Sequence, residues 1–140
     1  MGVRRRGREL ALQILYQHDL AGTAVEEIFP TFEELQQAPD VARDFAMLLV
    51  RGVVSRRDEI DGHLGGQANH WRLERMAAVD RNILRLALYE LLFDSETPPA
   101  VVIDEAVEIA KRFGSERSSQ FVNGVLDGFL HRKETRGEPA

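Results

Sequence analysis

An all-α protein is the fold class this sequence predicts, and three observations predict it. Apolar residues recur at the helical spacing of i, i+3, i+4 and i+7 along most of the chain. No stretch alternates apolar with polar residues as a half-buried strand would. The third observation is Val79 to Asp94, V-D-R-N-I-L-R-L-A-L-Y-E-L-L-F-D, which has no Gly or Pro and is rich in Leu, Ala, Arg and Glu. On a 3.6-residue wheel its aliphatic side chains point in nearly every direction, so this helix is expected to be buried on several sides. It is too short and too charged to cross a bilayer.

The other elements follow in order. Residues 4–20 read as a first helix, with Leu10, Ala11, Ile14, Leu15 and His18 on its buried stripe and Gly22 free to end it at positive φ. Arg5, Arg8, Leu12 and Tyr16 follow a separate ridge. Thr23 and Glu26 have capping-box spacing at the start of a second helix, which Pro30 must bend or divide. Pro39 breaks the chain, and Asp40 is the expected N-cap of a third helix, Val41 to about Leu64. Its core face is read as Phe45, Leu48, Leu49, Val53, Ile60 and Leu64, and Gly65-Gly66 is its expected stop. Gly52 is a plausible point of close helix approach.

Residues 69–76, N-H-W-R-L-E-R-M, read as a short helix leading into the central one. Ser95 to Pro99 is a loop, since Pro does not belong in a helix interior. From about Ala100 the next helix turns Val102, Ile103, Ala106, Val107, Ala110 and Phe113 inward. Its acids come early (Asp104, Glu105, Glu108) and its bases late (Lys111, Arg112), as the macrodipole favours. Gly114 closes it, and Ser115 caps a last helix carrying Phe121, Val122, Val125, Leu126 and Phe129. Gly124 and Gly128 share a face, expected to serve internal packing. The reading is one domain over residues 1–133 and a frayed tail over 134–140.

Composition narrows the function. The 140 residues include no Cys, which removes disulfides, thiolate metal ligands and a Cys nucleophile. The four histidines are scattered without ligand spacing. No phosphate-binding loop, dinucleotide fingerprint, zinc-protease helix or nucleophile elbow is present. No catalytic residue, cofactor or metal is therefore expected, and the protein is read as a non-enzyme. No apolar segment follows the basic N-terminus, so neither a signal peptide nor a membrane span is expected, and the cytoplasm is the expected location.

Net charge is −5, yet Arg4, Arg5, Arg6 and Arg8 carry +4 with no acid before Glu9, which leaves −9 on the rest of the chain. A compact cationic end on an acidic body suits a polyanion on one side and a basic protein on another. Arginine's planar fork matches phosphate. Phe121 has two readings: a core residue, which periodicity favours, or a platform on which a base stacks. For Arg85 and Glu90, pairing with neighbouring helices is the favoured reading.

Three segments in this order, V-D-R-N-I-L-R-L-A-L-Y-E-L-L, I-D-E-A-V-E-I-A-K-R-F-G and S-S-Q-F-V-N-G-V-L-D, resemble the NusB family of bacterial transcription antitermination factors. R-R-R-G-R-E-L-A-L-Q-I-L-Y and N-H-W-R-L-E-R-M resemble that family's first helix and its Trp-containing lead-in. The resemblance implies about seven helices in two three-helix bundles set across each other. It implies binding of boxA-type single-stranded RNA in ribosomal RNA leaders together with NusE, a small-subunit ribosomal protein, within an RNA polymerase complex that passes terminators. By that similarity Arg4, Arg5, Arg6, Arg8 and Phe121 are RNA-binding candidates, and Asp80 and Tyr16 are candidates for the protein partner. Arg117 stands where some relatives have an acid. Alternatives are an accessory domain like that of ribosomal RNA cytosine methyltransferases, and a helical scaffold. A homodimer is a further option.

Overall fold

The computed structural model describes residues 2–67, 73–94 and 96–135. Every regular element among them is helical. Trp71 and the first half of the expected 69–76 helix lie outside the described residues, as do residues 136–140; Leu73–Arg75 form a 3₁₀ turn. The chain divides into two compact units, Met1–Ser55 and Arg56–Ala140.

The first unit is built on two long helices, α1 (Val3–Ala21) and α4 (Asp40–Ser55), packed along each other. Between them come the single turns α2 (Val25–Ile28) and α3 (Glu33–Gln37). Leu10, Ile14, Leu15, Ile28, Leu35, Leu49 and Val53 are buried. Gly22 ends α1 at φ 75°, as expected, and its N–H reaches the His18 carbonyl at 2.9 Å. The expected capping box does not form. Ala24 holds the N-cap of α2 with no side-chain bond. Thr23 instead offers its carbonyl to His18 Nδ1 at 2.7 Å, and Glu26 reaches Arg51 in a two-pronged pair, 2.8 Å at each oxygen. Pro30 divides the segment, sitting in a 3₁₀ turn at Phe29–Thr31.

Asp40 is likewise no N-cap. The Pro39 carbonyl accepts the Arg43 N–H at 2.9 Å, so Asp40 is already helical, and its carboxylate binds the Arg43 guanidinium at 2.6 Å. Leu48, read as core, is 61% exposed. At Gly7 the two long helices meet closely: a Cβ there would lie 2.8 Å from Phe45 Cδ2 and 3.1 Å from the Ala42 carbonyl oxygen.

The expected single helix from Val41 to Leu64 is two helices. The Ser55 hydroxyl bonds the Gly52 carbonyl at 3.1 Å, taking the acceptor that the next turn's N–H would use. A new helix, α5 (Arg57–Gln67), opens the second unit and runs through Gly65 and Gly66 rather than stopping there. It is followed by α6 (Ala78–Phe93), α7 (Pro99–Phe113) and α8 (Ser118–Thr135). The central helix α6 is buried on several sides, packed by α5, α7 and α8. Arg85, 4% exposed, forks onto Asp61 of α5 at 2.8 and 3.0 Å, as the pairing reading expected.

Pro99 is the first residue of α7, where its missing N–H is harmless. That early start leaves no acid in the first turn of α7, whereas Lys111 and Arg112 fall in its last turn as expected. Gly124 and Gly128 are exposed, and a Cβ on Gly124 would touch nothing, so the expected internal packing is not found at Gly124. The last helix ends at Thr135.

Candidate nucleic-acid interface

The arginine run occupies the first turns of α1, and the structure divides it. Arg4 is exposed, Arg5 and Arg6 are half-buried, and Arg8 is only 4% exposed. The reason is the aromatic ring of Phe45 on α4. The Arg4 and Arg8 guanidinium carbons lie 4.2 and 5.3 Å from its centroid. Guanidinium over an aromatic face is held by the ring quadrupole. Arg8 is thus spent largely on packing, while Arg4 is held at the surface. No acid occupies the first turn of α1, so its N-terminal dipole and the arginines add to one positive field. Gly7 is what lets Phe45 come this close. Periodicity placed Phe45 on the core face of its helix; the ring is instead half-buried, a bridge between the core and the arginines of α1.

Further along the same helix, Tyr16 is 39% exposed, and Leu20 beside it on the next turn is exposed too. Tyr16 is therefore a surface group available to a partner, although Leu12 one turn earlier on its ridge is core.

In the second unit, Asp80 and Phe121 come together. They line one cavity of about 530 Å³, with Arg75, Met76, Ser115 and Arg117 among its walls. Phe121 is half-buried, unlike its neighbour Val122 in the core, so the core reading that periodicity favoured is not met: the residue lines the cavity. Asp80 stands in the first turn of α6, where the dipole favours an anion. It is 9% exposed, and its Oδ1 has no hydrogen-bond partner among the described residues. A glutamate in this position could reach back to the N-cap N–H; aspartate is one methylene shorter. The opposite wall is a clamped turn. Ser115 N–H donates to Ser118 Oγ at 2.8 Å, and a side chain on Gly114 would overlap Ser118. This turn carries Arg117, which is exposed, as is Arg75 across the cavity.

No group of His, Asp and Glu able to hold a metal occurs among the described residues. No described helix is long and apolar enough to cross a membrane.

Fold and surfaces together define an all-helical protein with a cationic leading helix and an aromatic-walled cavity flanked by arginines. The comparisons with known proteins add the lineage. The profile of the NusB family matches residues 5–131, and the chain belongs to that family. It is 50% identical over 128 residues to the transcription antitermination protein NusB of Geobacter sulfurreducens, covering 91% of this chain and 93% of that one. The NusB of Myxococcus xanthus is 48% identical, covering 91% and 94%. Among solved structures, NusB of T. maritima superposes with TM-score 0.83 at 40% identity, covering 96% of each chain. A chain from antitermination factors NusB and NusE in complex with dsRNA superposes with TM-score 0.85 at 32% identity, covering 94% of this chain and 98% of that one. These relatives are named as antitermination factors, not as enzymes.

Proposed function

We propose that this protein is a transcription antitermination factor that binds RNA together with NusE. The observation that carries the reading is its membership of the NusB family at up to half identity over nearly the whole chain. The solved complex of a relative with NusE and dsRNA supports the choice of both partners. On this reading Arg4, Arg5 and Arg6 contact phosphates at the start of α1, with Arg8 fixing Phe45 beneath them. Phe121 meets a base. Tyr16 offers its exposed ring to the protein partner, and Asp80, at the start of α6, is a second contact for it. The RNA is a boxA-type segment of a ribosomal RNA leader, the complex acts on RNA polymerase in the cytoplasm, and self-association through the RNA face is a competing state. The acidic remainder of the chain suits a basic ribosomal protein.

The test is a titration of labelled boxA-type RNA, single-stranded and as a duplex, with and without NusE. Tighter binding to boxA than to a scrambled RNA at matched salt, strengthened by NusE, is expected. Equal affinity for both sequences in the presence of NusE would overturn the reading.

A further inference from the structure

One arginine of the leading helix is both exposed and held against an aromatic ring. We propose that Phe45 is a positioning residue for RNA: it holds the Arg4 guanidinium so that the outer face of Arg4 stacks an unpaired base while its in-plane N–H groups grip the adjoining phosphate. The inference rests on the RNA-binding reading above and gives Arg4 a second task within it, on a base.

The geometry lies wholly within the first unit. Gly7 lets the Phe45 ring settle against α1, since a Cβ there would stand 2.8 Å from Cδ2. Arg4 and Arg8, one turn apart on that helix, both reach the ring, with guanidinium carbons 4.2 and 5.3 Å from its centroid. Arg8 is 4% exposed, so Arg4 is the member of the pair that meets solvent. A guanidinium carries its donors in its plane and has two faces. Phe45 takes one face of Arg4. A phosphate uses only the edge, where the paired N–H groups point. What suits the second face is a flat π-system, and unstacked RNA bases lie on guanidinium planes as they do on aromatic side chains. The ring also fixes Arg4 before binding, which removes part of the rotamer freedom that a surface arginine loses on contact. No acid occupies the first turn of α1, so the field at the stack favours the phosphate. Val41, one turn before Phe45 on α4 and 67% exposed, adds an apolar side chain beside the ring. A base inside a duplex has both faces covered by its neighbours, so the guest is single-stranded.

The experiment removes bases and leaves phosphates in place. A fluorescein-labelled boxA-type RNA with one abasic residue, moved along the strand position by position, is titrated with the full chain and NusE and followed by anisotropy. At one position the abasic residue is expected to cost the parent about tenfold in affinity through Arg4. Arg4→Lys keeps the charge and loses the plane. It should bind the intact RNA about tenfold more weakly with an unchanged salt slope, and the abasic residue at that position should then cost nothing further. Phe45→Leu should abolish the same sensitivity, and Phe45→Tyr, which keeps the ring, should retain it. A packing role alone would move the melting point and leave the abasic pattern as in the parent. Phe121→Ala should leave this position sensitive, which separates the stack from the base that Phe121 meets. If Phe45→Leu does not fold, Arg4→Lys and Phe45→Tyr carry the test. If no abasic position is coupled to Arg4, that arginine holds phosphate alone, and the proposal is overturned while the RNA reading stands. If the coupling to Arg4 survives Phe45→Leu, the ring does not position it and the proposal is again overturned. If the parent binds no RNA, both readings fall.

Discussion

Single side chains in this protein are placed by what matches their charge. Arg85 is almost out of water, and its fork onto Asp61, with a 3.3 Å bond to Asn82 Oδ1, helps make that tolerable. Removing one partner of a buried pair strands the other. Asp61 sits at the edge, where water can recover it, which sets the effect at the low end of the usual range. Arg85→Ala is expected to lower stability by about 3 kcal/mol in urea unfolding, and Asp61→Asn by less. That Arg85 would pair was legible from its place on an all-round apolar helix. Its partner was not, because a contact 24 residues away leaves no trace in local spacing. The exposed pair of Glu26 and Arg51 behaves differently. The hydrogen bonds from Arg51 hold the Glu26 carboxyl below the ordinary 4.5, partly opposed by desolvation, and the charge of Arg51 adds a smaller lowering. A depressed folded value stabilises above the unfolded one and is lost as pH falls through the folded one. Carboxyl-carbon NMR should find the Glu26 midpoint below 4.5 in the parent and back near it in Arg51→Ala.

Between elements, the deciding residues are glycines, and here sequence pattern reads poorly. The spacing of Gly124 and Gly128 suggested a packed face, yet the close contact is at Gly7, inside the arginine run, where no periodicity points. A glycine in a helix looks the same whether its missing Cβ makes room for a neighbour or faces water; only the neighbour distinguishes them. The two cases predict opposite outcomes. Gly124→Ala, in an open mid-helix position, should stabilise by about 0.5–1 kcal/mol through helix propensity alone. Gly7→Ala gains the same propensity but sets a methyl against the Phe45 ring and the Ala42 carbonyl oxygen. The ring end can give; the backbone oxygen cannot without moving α4. Overpacking of this kind costs about 1–3 kcal/mol, so Gly7→Ala should lower the thermal midpoint while Gly124→Ala raises it. The helices themselves were legible, and α6 above all, because burial of an apolar circumference is written in composition. The break between α4 and α5 was not, because it turns on one Ser55 hydroxyl taking one carbonyl.

At the scale of the molecule, charge is divided: four arginines in the opening turn carry +4 on a chain whose net charge is −5. Counting residues, four phosphate contacts would give a slope of log affinity against log salt of roughly −3 for a single strand. The structure changes the count. Arg8 is 4% exposed and committed to the Phe45 ring, so it cannot also lie along a phosphate chain without leaving that site. Three contacts, from Arg4, Arg5 and Arg6, give a slope nearer −2. The two kinds of arginine should separate in experiment. Replacing Arg4, Arg5 and Arg6 with Ala should remove that contribution to the slope and weaken RNA binding, and should lower the thermal midpoint less than Arg8→Ala does, since none of them is core. Arg8→Ala should do the reverse first, lowering stability through the exposed underside of Phe45, and alter RNA affinity only as far as Arg4 loses its anchor. The measurement is RNA affinity across a salt series for each variant beside its melting curve. If Arg8→Ala changed the slope as much as each surface arginine and left the melt untouched, the division read from its burial would be wrong.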